Sequence, residues 1–322
     1  MQNIKKLLAS AAAGIISLSA FIMPVSAQDI SSDMPFPIAI QQDEKSGAEC
    51  QRNAYLPSFE RWCDYPWNRG NETDNTVGLA ACGLFSTINN VYYHTGVVIE
   101  PVVVAQYALD KGFRRVGVEG VALDYFSAFP KDFGSEFGMV CCGGTSSAQT
   151  ALAHVRNGGS TSSNVYGHWV TIADYDEEND LYLVLDSAQT CKRCENIQWT
   201  DRENGVAWLP PDVLLQKGAS GNYGIEGRYS VLYTFDYEFK AEMGDANSDE
   251  RVDIADASLI LSIYSFSASG IEQPRCHAHP ARDQLGQTVA DINGDLNIDI
   301  DDATIVLEKY AAEAAGISSA QQ

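Results

Sequence analysis

The segments HWVTI at positions 168–172 and LYLVL at positions 181–185 decide the fold class of this chain. Each is a short run of β-branched, aromatic and aliphatic residues, which is the composition of a β-strand. The acidic stretch from Asp174 to Asp180 separates them and predicts a turn, so the two strands form an antiparallel hairpin. Residues 228–235, rich in Tyr, Val and Leu, predict a further strand.

Helical patterns come before these strands. Between Ala80 and Tyr93 the apolar residues recur at helical spacing, and Gly96 predicts the end of that helix. Two more helices are predicted at 101–111 and 148–156. Helices followed by a cluster of strands indicate an α+β domain, with a helical part and an antiparallel sheet, rather than alternating βαβ units.

The N-terminus predicts export. Lys5 and Lys6 are followed by an apolar run at 7–23 and by small residues at 25–27, which is the order of a secretory signal peptide. An uncleaved membrane anchor is the alternative. No later stretch is apolar enough to span a bilayer. We therefore expect a signal peptide at 1–27 and a secreted, extracellular protein without membrane insertion after cleavage.

The charge excludes two classes of partner. The formal net charge of the chain is −22, and the signal peptide holds lysines but no acidic residue. An acidic surface of this kind repels nucleic acid and anionic membranes, so we expect neither as a partner.

The chain has eight cysteines, at positions 50, 63, 82, 141, 142, 191, 194 and 276. Disulfides are the default in an exported protein, and Cys50 with Cys63 is a candidate local bridge. The CKRC motif at 191–194 could be a structural clip, a redox pair or half a zinc site. The CHAH motif at 276–279 has residue types that bind metals, although its place in the chain does not require one.

Three residues form a candidate constellation for nucleophilic catalysis. Cys82 stands at the start of the first helix, where backbone N–H groups and the helix dipole favour a thiolate. His168 begins one hairpin strand and Asp186 ends the other, so the aspartate could orient the imidazole. Taken singly, they could equally be a small core residue, a packed histidine and a strand-end cap.

Four motifs carry a resemblance to a known family: ACGL at 81–84, NVYY at 90–93, GHWV at 167–170 and LVLDSA at 183–188. Together they resemble papain-like cysteine peptidases, in particular the branch related to the bacteriocin-leader-processing peptidases. The resemblance spans about residues 70–235. It implies a papain-like domain at 28–240, with Cys82 as nucleophile, His168 as general base and Asp186 as its orienter.

The position of the oxyanion donor departs from this family. Where the family carries a glutamine six residues before the cysteine, this chain has Thr76, with Asn75 one residue earlier. Asn75 could donate the hydrogen bond if the loop is one residue longer. The departure leaves open a catalytically impaired binding or inhibitory domain. Peptidoglycan amide hydrolysis or acyl transfer by the same thiol is a further alternative.

Residues 28–70 precede the motifs and show no sustained hydrophobic period. They are rich in proline, aromatic and charged residues. We interpret them as an irregular N-terminal segment packed on the peptidase domain, which could act as a pro-region.

Two acidic loops near the C-terminus have the spacing of calcium ligands. Each places oxygen-bearing side chains at positions 1, 3, 5, 9 and 12 of a loop and a backbone carbonyl at position 7. The predicted ligands are Asp245, Asn247, Asp249, Arg251, Asp253 and Asp256 in loop 1, and Asp291, Asn293, Asp295, Asn297, Asp299 and Asp302 in loop 2. Acidic turns that bind nothing are the alternative.

The paired loops resemble a dockerin, the small helical module that joins an enzyme to a cohesin on a cellulosome scaffold. The resemblance covers residues 241–315 and implies two calcium ions, with no cofactor for catalysis. Helices are predicted at 256–265 and 302–311. The cohesin-binding pairs implied by loop positions 10 and 11 are Ile254 with Ala255, and Ile300 with Asp301.

Position 6 of each loop normally holds glycine, because the backbone there is left-handed. Glu250 and Leu296 occupy it in this chain, so we expect weaker calcium binding than usual. The sequence as a whole predicts a secreted, cellulosome-associated cysteine peptidase acting on a peptide or protein substrate.

Overall fold

A computed structural model describes residues 36–41, 65–67, 76–115, 120–188, 197–236, 240–277 and 279–316. The predicted signal peptide, Asn75 and the cysteines at 50, 63, 191 and 194 lie outside these ranges, as does most of the segment 28–70. Among the helices of the described ranges, none has the length and apolar character needed to cross a membrane.

The N-terminal unit combines helices with one sheet. Its helices are α1 (Val77–Ala80), α2 (Cys82–Thr95), α3 (Pro101–Asp110), α4 (Tyr125–Phe137), α5 (Ala148–Arg156) and α6 (Pro211–Leu214). Its strands are β1 (Met139–Thr145), β2 (Ser160–Val165), β3 (His168–Asp176), β4 (Leu181–Leu185), β5 (Val206–Leu209) and β6 (Ser230–Phe235). The predicted α+β class is confirmed at this coarse level.

The six strands form one antiparallel sheet in the order β1-β6-β2-β3-β4-β5. The predicted hairpin is β3 with β4, in which Thr171 lies opposite Leu185. Its turn is shorter than predicted, because Asp174 and Asp176 still pair with β4. Asp180 then turns the chain with a φ of 52°.

Helix α2 packs along β3 and β2. Its apolar side chains are buried in a core that also takes Trp169 and Tyr233 from the sheet. The polar side of α2 is buried as well, and it is hydrogen-bonded to the strands. Ser86 Oγ lies 3.0 Å from Ser162 Oγ, and Thr171 Oγ1 donates to the Ser86 carbonyl at 2.7 Å.

Strand β2 is not predicted by the sequence pattern, because it consists mainly of serine, threonine and asparagine. Hydroxyls in the middle of the strand are hydrogen-bonded inside the protein: Ser163 Oγ lies 2.8 Å from both Thr161 Oγ1 and Ser230 Oγ. A buried polar strand is stable when its groups are paired in this way.

Residues 36–41 lie across the N-terminal unit, with Ile38, Ala39 and Ile40 fully buried. The backbone N–H of Ile40 donates to Asn89 Oδ1 on α2 at 2.7 Å. The N–H of Ala39 donates to the Asn204 carbonyl at 2.8 Å. This short segment therefore joins α2 to the loop before β5.

The C-terminal unit contains α7 (Ile254–Ala268), α8 (Pro280–Ala290) and α9 (Ile300–Ala314). Helices α7 and α9 pack on each other over a small aliphatic core centred on Ile260 and Val306. Both extend beyond the predicted limits at each end. Helix α8 was not predicted, because its alternation of charged and small residues carries no strong apolar period.

The two units touch where α2 ends. Gly96 has a φ of 69°, and a Cβ on it would lie 2.7 Å from Arg282 Cδ and 2.9 Å from His279 Cβ. Only glycine gives both this conformation and this close approach. The glycine that ends α2 thus also admits α8 beside it.

Candidate active site and calcium loops

Cys82 is the first residue of α2, and Ala81 alone separates that helix from α1. Its side chain is half-buried and packs against the main core. A helix N-terminus places partial positive charge beside the sulfur, which favours the thiolate. The following Gly83 is needed for packing, because a Cβ there would lie 2.5 Å from Val121 Cγ1.

His168 and Asp186 meet where the hairpin ends. His168 Nε2 lies 2.8 Å from Asp186 Oδ1, and the two side chains are 4% and 0% exposed. An ionised carboxylate only accepts hydrogen bonds, so Nε2 carries the proton in this pair. The structure therefore brings together two of the three residues predicted from the order of the motifs.

Helix α2 and strand β3 run in the same direction, which places Cys82 and His168 at the same end. Thr171 lies beside Ser86, and Trp169 lies beside Gly83, where a Cβ would be 3.6 Å from Trp169 Cδ1. Cys82 precedes Gly83 at the start of the helix, and His168 precedes Trp169 at the start of the strand. This parallel arrangement supports the grouping of the cysteine with the histidine.

Asp186 is held by further contacts. Besides His168, its Oδ1 accepts the Ala188 N–H at 2.8 Å, and its Oδ2 accepts the hydroxyl of Tyr223. Its backbone N–H donates to the Gly205 carbonyl at 2.9 Å, and its carbonyl accepts Gln41 Nε2 at 3.2 Å. No sequence pattern marks Tyr223, which lies in an irregular loop between α6 and β6.

Thr76 does not provide a side-chain donor for the oxyanion. Thr76 is the residue before α1, and its hydroxyl is shielded from solvent and hydrogen-bonds to no group in the described part of the chain. It therefore presents no exposed donor in this conformation. The other candidate, Asn75, lies outside the described ranges.

The two acidic loops share one pattern of hydrogen bonds. At position 1, Asp245 accepts the N–H groups of positions 5 and 6 at 3.0 and 3.2 Å, and Asp291 accepts the equivalent groups at 3.0 and 2.9 Å. At position 12, Asp256 and Asp302 each accept the N–H groups of positions 3 and 9. The two loops are thus folded alike around the carboxylates predicted to be their first and last calcium ligands.

The left-handed backbone expected at position 6 is present in both loops. Glu250 has a φ of 68° and Leu296 a φ of 69°. A side chain in this conformation costs about 1–2 kcal/mol relative to glycine. The strain predicted from the sequence is therefore present in the fold.

Loop 1 buries acidic groups close together. Asp245 and Asp256 are 1% and 0% exposed. Burial first, and then the charge of Asp256, raise the pKa of Asp245 to about 6, and burial also raises the pKa of Asp256. Among the ion pairs of the described ranges, neither carboxylate has a Lys or Arg partner. Such a pair is stabilised by a bound cation.

Within the described ranges, no three His, Cys, Asp or Glu side chains are arranged as a formed metal site. The carboxylates of the loops are engaged with backbone N–H groups instead. The donor set still suits calcium, because an EF-hand-like site also uses asparagine oxygens, a backbone carbonyl and water. The same arrangement of oxygens in both loops fits that ion.

The predicted cohesin-binding residues stand at the exposed starts of two helices. Ile254 is 60% exposed and Ile300 is 55% exposed, and they are the first residues of α7 and α9. Ala255 and Asp301 follow them and are also exposed. The two isoleucines thus occupy equivalent, exposed positions on the two helices.

The CHAH motif has a structural role in its described residues. Burial raises the pKa of the Cys276 thiol to about 12. His277 Nδ1 accepts the N–H of His279 at 3.0 Å, and His279 Nε2 lies 2.6 Å from the Tyr93 carbonyl oxygen. His279 thus joins the C-terminal unit to the end of α2.

The comparisons with known proteins leave the functional argument to these residues. No family model, no curated protein and no solved structure matches the chain.

Proposed function

We propose that this chain is a secreted cysteine peptidase of papain-like fold, attached to a cellulosomal scaffold by a calcium-dependent dockerin. The observation that carries the proposal is the buried contact between His168 Nε2 and Asp186 Oδ1, at 2.8 Å. It lies at the same end of the helix–strand pair as Cys82. A cysteine at a helix start beside an oriented histidine is the arrangement that nucleophilic catalysis requires.

The proposed reaction divides peptide hydrolysis into two steps. Nδ1 of His168 takes the proton of the Cys82 thiol, and the sulfur attacks the peptide carbonyl carbon. His168 returns that proton to the departing amine, which leaves a thioester on Cys82. Water then attacks the thioester while His168 accepts its proton, and the acid product and the thiol are released.

Asp186 supports both steps without exchanging a proton. Its carboxylate fixes the imidazole with Nε2–H toward itself, so Nδ1 is the nitrogen that faces the thiol. Its negative charge stabilises the imidazolium form of His168. Asn75 or the Cys82 backbone N–H would stabilise the oxyanion.

The C-terminal unit supplies the attachment. The six ligands of each acidic loop would hold one calcium ion, which when bound neutralises the clustered carboxylates and stiffens the loops. Ile254 with Ala255, and Ile300 with Asp301, would contact the cohesin. Their exposure at the starts of α7 and α9 supports this assignment.

A thiol-reactivity experiment tests the catalytic part. The protein is treated with iodoacetamide between pH 5 and pH 9, and the rate at Cys82 is followed by peptide mass spectrometry. We expect alkylation at pH 6 to be at least about tenfold faster than that of a free thiol, whose pKa is about 8.5. Asp186→Asn should slow it. A Cys82 rate no faster than a model thiol would reject the peptidase.

The buried hydroxyl of Thr76 favours a second candidate, a non-catalytic binding or inhibitory domain on the same fold. The two candidates differ in turnover. A reactive Cys82 that cleaves neither a peptide library nor cell-wall fragments would support the binding domain. Cleavage of cell-wall peptides alone would assign the thiol to peptidoglycan.

A further inference from the structure

We propose that Tyr223 is a positioning residue of the catalytic site, whose hydroxyl holds the Asp186 carboxylate in the orientation that serves His168. This inference rests on the proposed peptidase function and adds a fourth residue to the triad. It is carried by the contact from the Tyr223 hydroxyl to Asp186 Oδ2, with both side chains fully buried.

The geometry of the carboxylate explains why this contact matters. Oδ1 of Asp186 accepts from His168 Nε2 and from the Ala188 N–H, each at 2.8 Å. The Tyr223 hydroxyl bonds the other oxygen, Oδ2, so the imidazole is held by a carboxylate anchored at both oxygens.

Tyr223 is itself held rigidly. Its ring is buried in an apolar cluster that also contains Leu152, Tyr182 and Ile225, and it lies edge-on to Trp199, with centroids 6.5 Å apart. Asn222 fixes the loop, because its Oδ1 accepts the N–H groups of Ala219 and Gly224 at 3.0 and 3.2 Å. A Cβ on Gly224 would lie 2.4 Å from the Gln216 carbonyl oxygen. The hydroxyl therefore has little freedom to leave Asp186.

The electrostatic consequence concerns the buried negative charge. An ionised carboxylate removed from water needs hydrogen-bond donors to remain ionised. The Tyr223 hydroxyl donates to the Asp186 side chain, as do the Ala188 N–H and His168. Without it, Asp186 would take up a proton more readily and stabilise the His168 imidazolium less.

The test compares Tyr223→Phe with Tyr182→Phe. Tyr182 is a matched control, because it is also fully buried in the same cluster and its hydroxyl donates to the Leu152 carbonyl at 3.4 Å, remote from Asp186. We expect Tyr223→Phe to lower kcat about tenfold or more with KM unchanged, since the hydroxyl touches no substrate. Its Cys82 alkylation profile should move to higher pH. Tyr182→Phe should match the wild type.

A proton spectrum separates this inference from the proposed function. The Cys82→Ala chain lacks the proposed nucleophile and cannot turn over substrate. In its spectrum, the His168 Nε2 proton and the Tyr223 hydroxyl proton should both resonate downfield. Tyr223→Phe should shift the His168 signal. If Tyr223→Phe shifts the His168 signal but Cys82 of the wild type is alkylated no faster than a model thiol, the contact between Tyr223 and Asp186 is supported and the peptidase function is rejected.

Two results overturn the inference. One is a Tyr223→Phe variant whose kcat, alkylation profile and His168 signal equal those of the wild type. The other needs no variant of Tyr223: the absence of a downfield Tyr223 hydroxyl resonance in the wild-type spectrum would show that the hydrogen bond to Asp186 does not form.

Discussion

His279 Nε2 lies 2.6 Å from the backbone carbonyl oxygen of Tyr93, so the C-terminal unit is hydrogen-bonded to the last turn of the helix that begins at Cys82. The ring of His279 also packs edge-on against Phe36, with centroids 4.9 Å apart. The two units therefore share a contact made of neutral imidazoles, aromatic rings and a backbone carbonyl.

We predict that acid weakens this contact. Burial lowers the pKa of His94 to about 4 and that of His277 to about 3. Nearby charges add to this effect or oppose it. Asp174 raises the pKa of His94, whereas His279 lowers it. Arg282 and His279 both lower the pKa of His277. Because the unfolded chain binds these protons near pH 6.5, unfolding becomes easier as the pH falls from about 6.5 toward 4.

The measurement is thermal unfolding as a function of pH. Each buried neutral histidine should contribute a slope of about 1.4 kcal/mol per pH unit within that window. His277→Asn keeps an acceptor for the His279 N–H and removes the titrating ring. The variant should therefore lose less stability than the wild type as the pH falls from about 6.5 to about 4, while its midpoint temperature at pH 8 should be nearly unchanged. Identical pH profiles for the two proteins would contradict the prediction.

A second prediction concerns the glycine after the proposed nucleophile. Gly83→Ala places a Cβ within 2.5 Å of Val121 Cγ1, so the start of α2 must shift. We expect a loss of about 1–3 kcal/mol of stability and slower alkylation of Cys82. Denaturant unfolding and thiol labelling measure the two effects. The double variant Gly83→Ala with Val121→Ala should recover part of both, and no recovery would show that the contact with Val121 is not the cause.

A third prediction uses the strained position 6. Leu296 is 92% exposed and has a φ of 69°, so its side chain adds strain without burying apolar surface. Leu296→Gly should tighten calcium binding by loop 2 by about tenfold, which corresponds to relief of about 1.4 kcal/mol of backbone strain. Titration calorimetry measures the affinity. Leu296→Ala is the matched control, since alanine retains the left-handed penalty and should bind as the wild type does.

A fourth prediction tests the ligand set of loop 2. Asp302→Asn should abolish binding of one calcium ion, because Asp302 is fully buried and bonds two backbone N–H groups inside the loop. Its neighbour Asp301 is exposed, so Asp301→Asn should leave the stoichiometry unchanged. Calorimetry gives the number of ions bound. Equal loss in both variants would indicate a general effect of charge rather than coordination.

The sequence predicted those features that depend on local pattern. The pairing of His168 with Asp186 followed from placing them at the open end of one hairpin, and the left-handed backbone at Glu250 and Leu296 followed from their loop position. Features that depend on distant partners were not predictable. Strand β2 is too polar for its sequence to predict burial. Its burial depends on hydrogen bonds between its serine hydroxyls and the side chains of Ser86, Asn90 and Ser230, which lie far from it in the chain.

Tyr223 and α8 illustrate the same limit. Tyr223 reaches Asp186 from a loop 37 residues further along the chain, a distance that no periodic pattern encodes. Helix α8 fits beside the first acidic loop because Gly286 allows close contact, where a Cβ would lie 2.4 Å from the Ala246 carbonyl oxygen. A glycine inside a weak helical pattern reads as a helix breaker until that approach is known.

Helix α2 connects the two ends of the proposed enzyme. It has 14 residues, so the sulfur-bearing end and the end that holds His279 are about 21 Å apart at about 1.5 Å per residue. The helix acts as a spacer of fixed length. An enzyme anchored through the C-terminal unit would then keep the Cys82 sulfur at a fixed distance from the scaffold. Substrates would have to diffuse to the site, because the site could not move on a flexible tether to reach them.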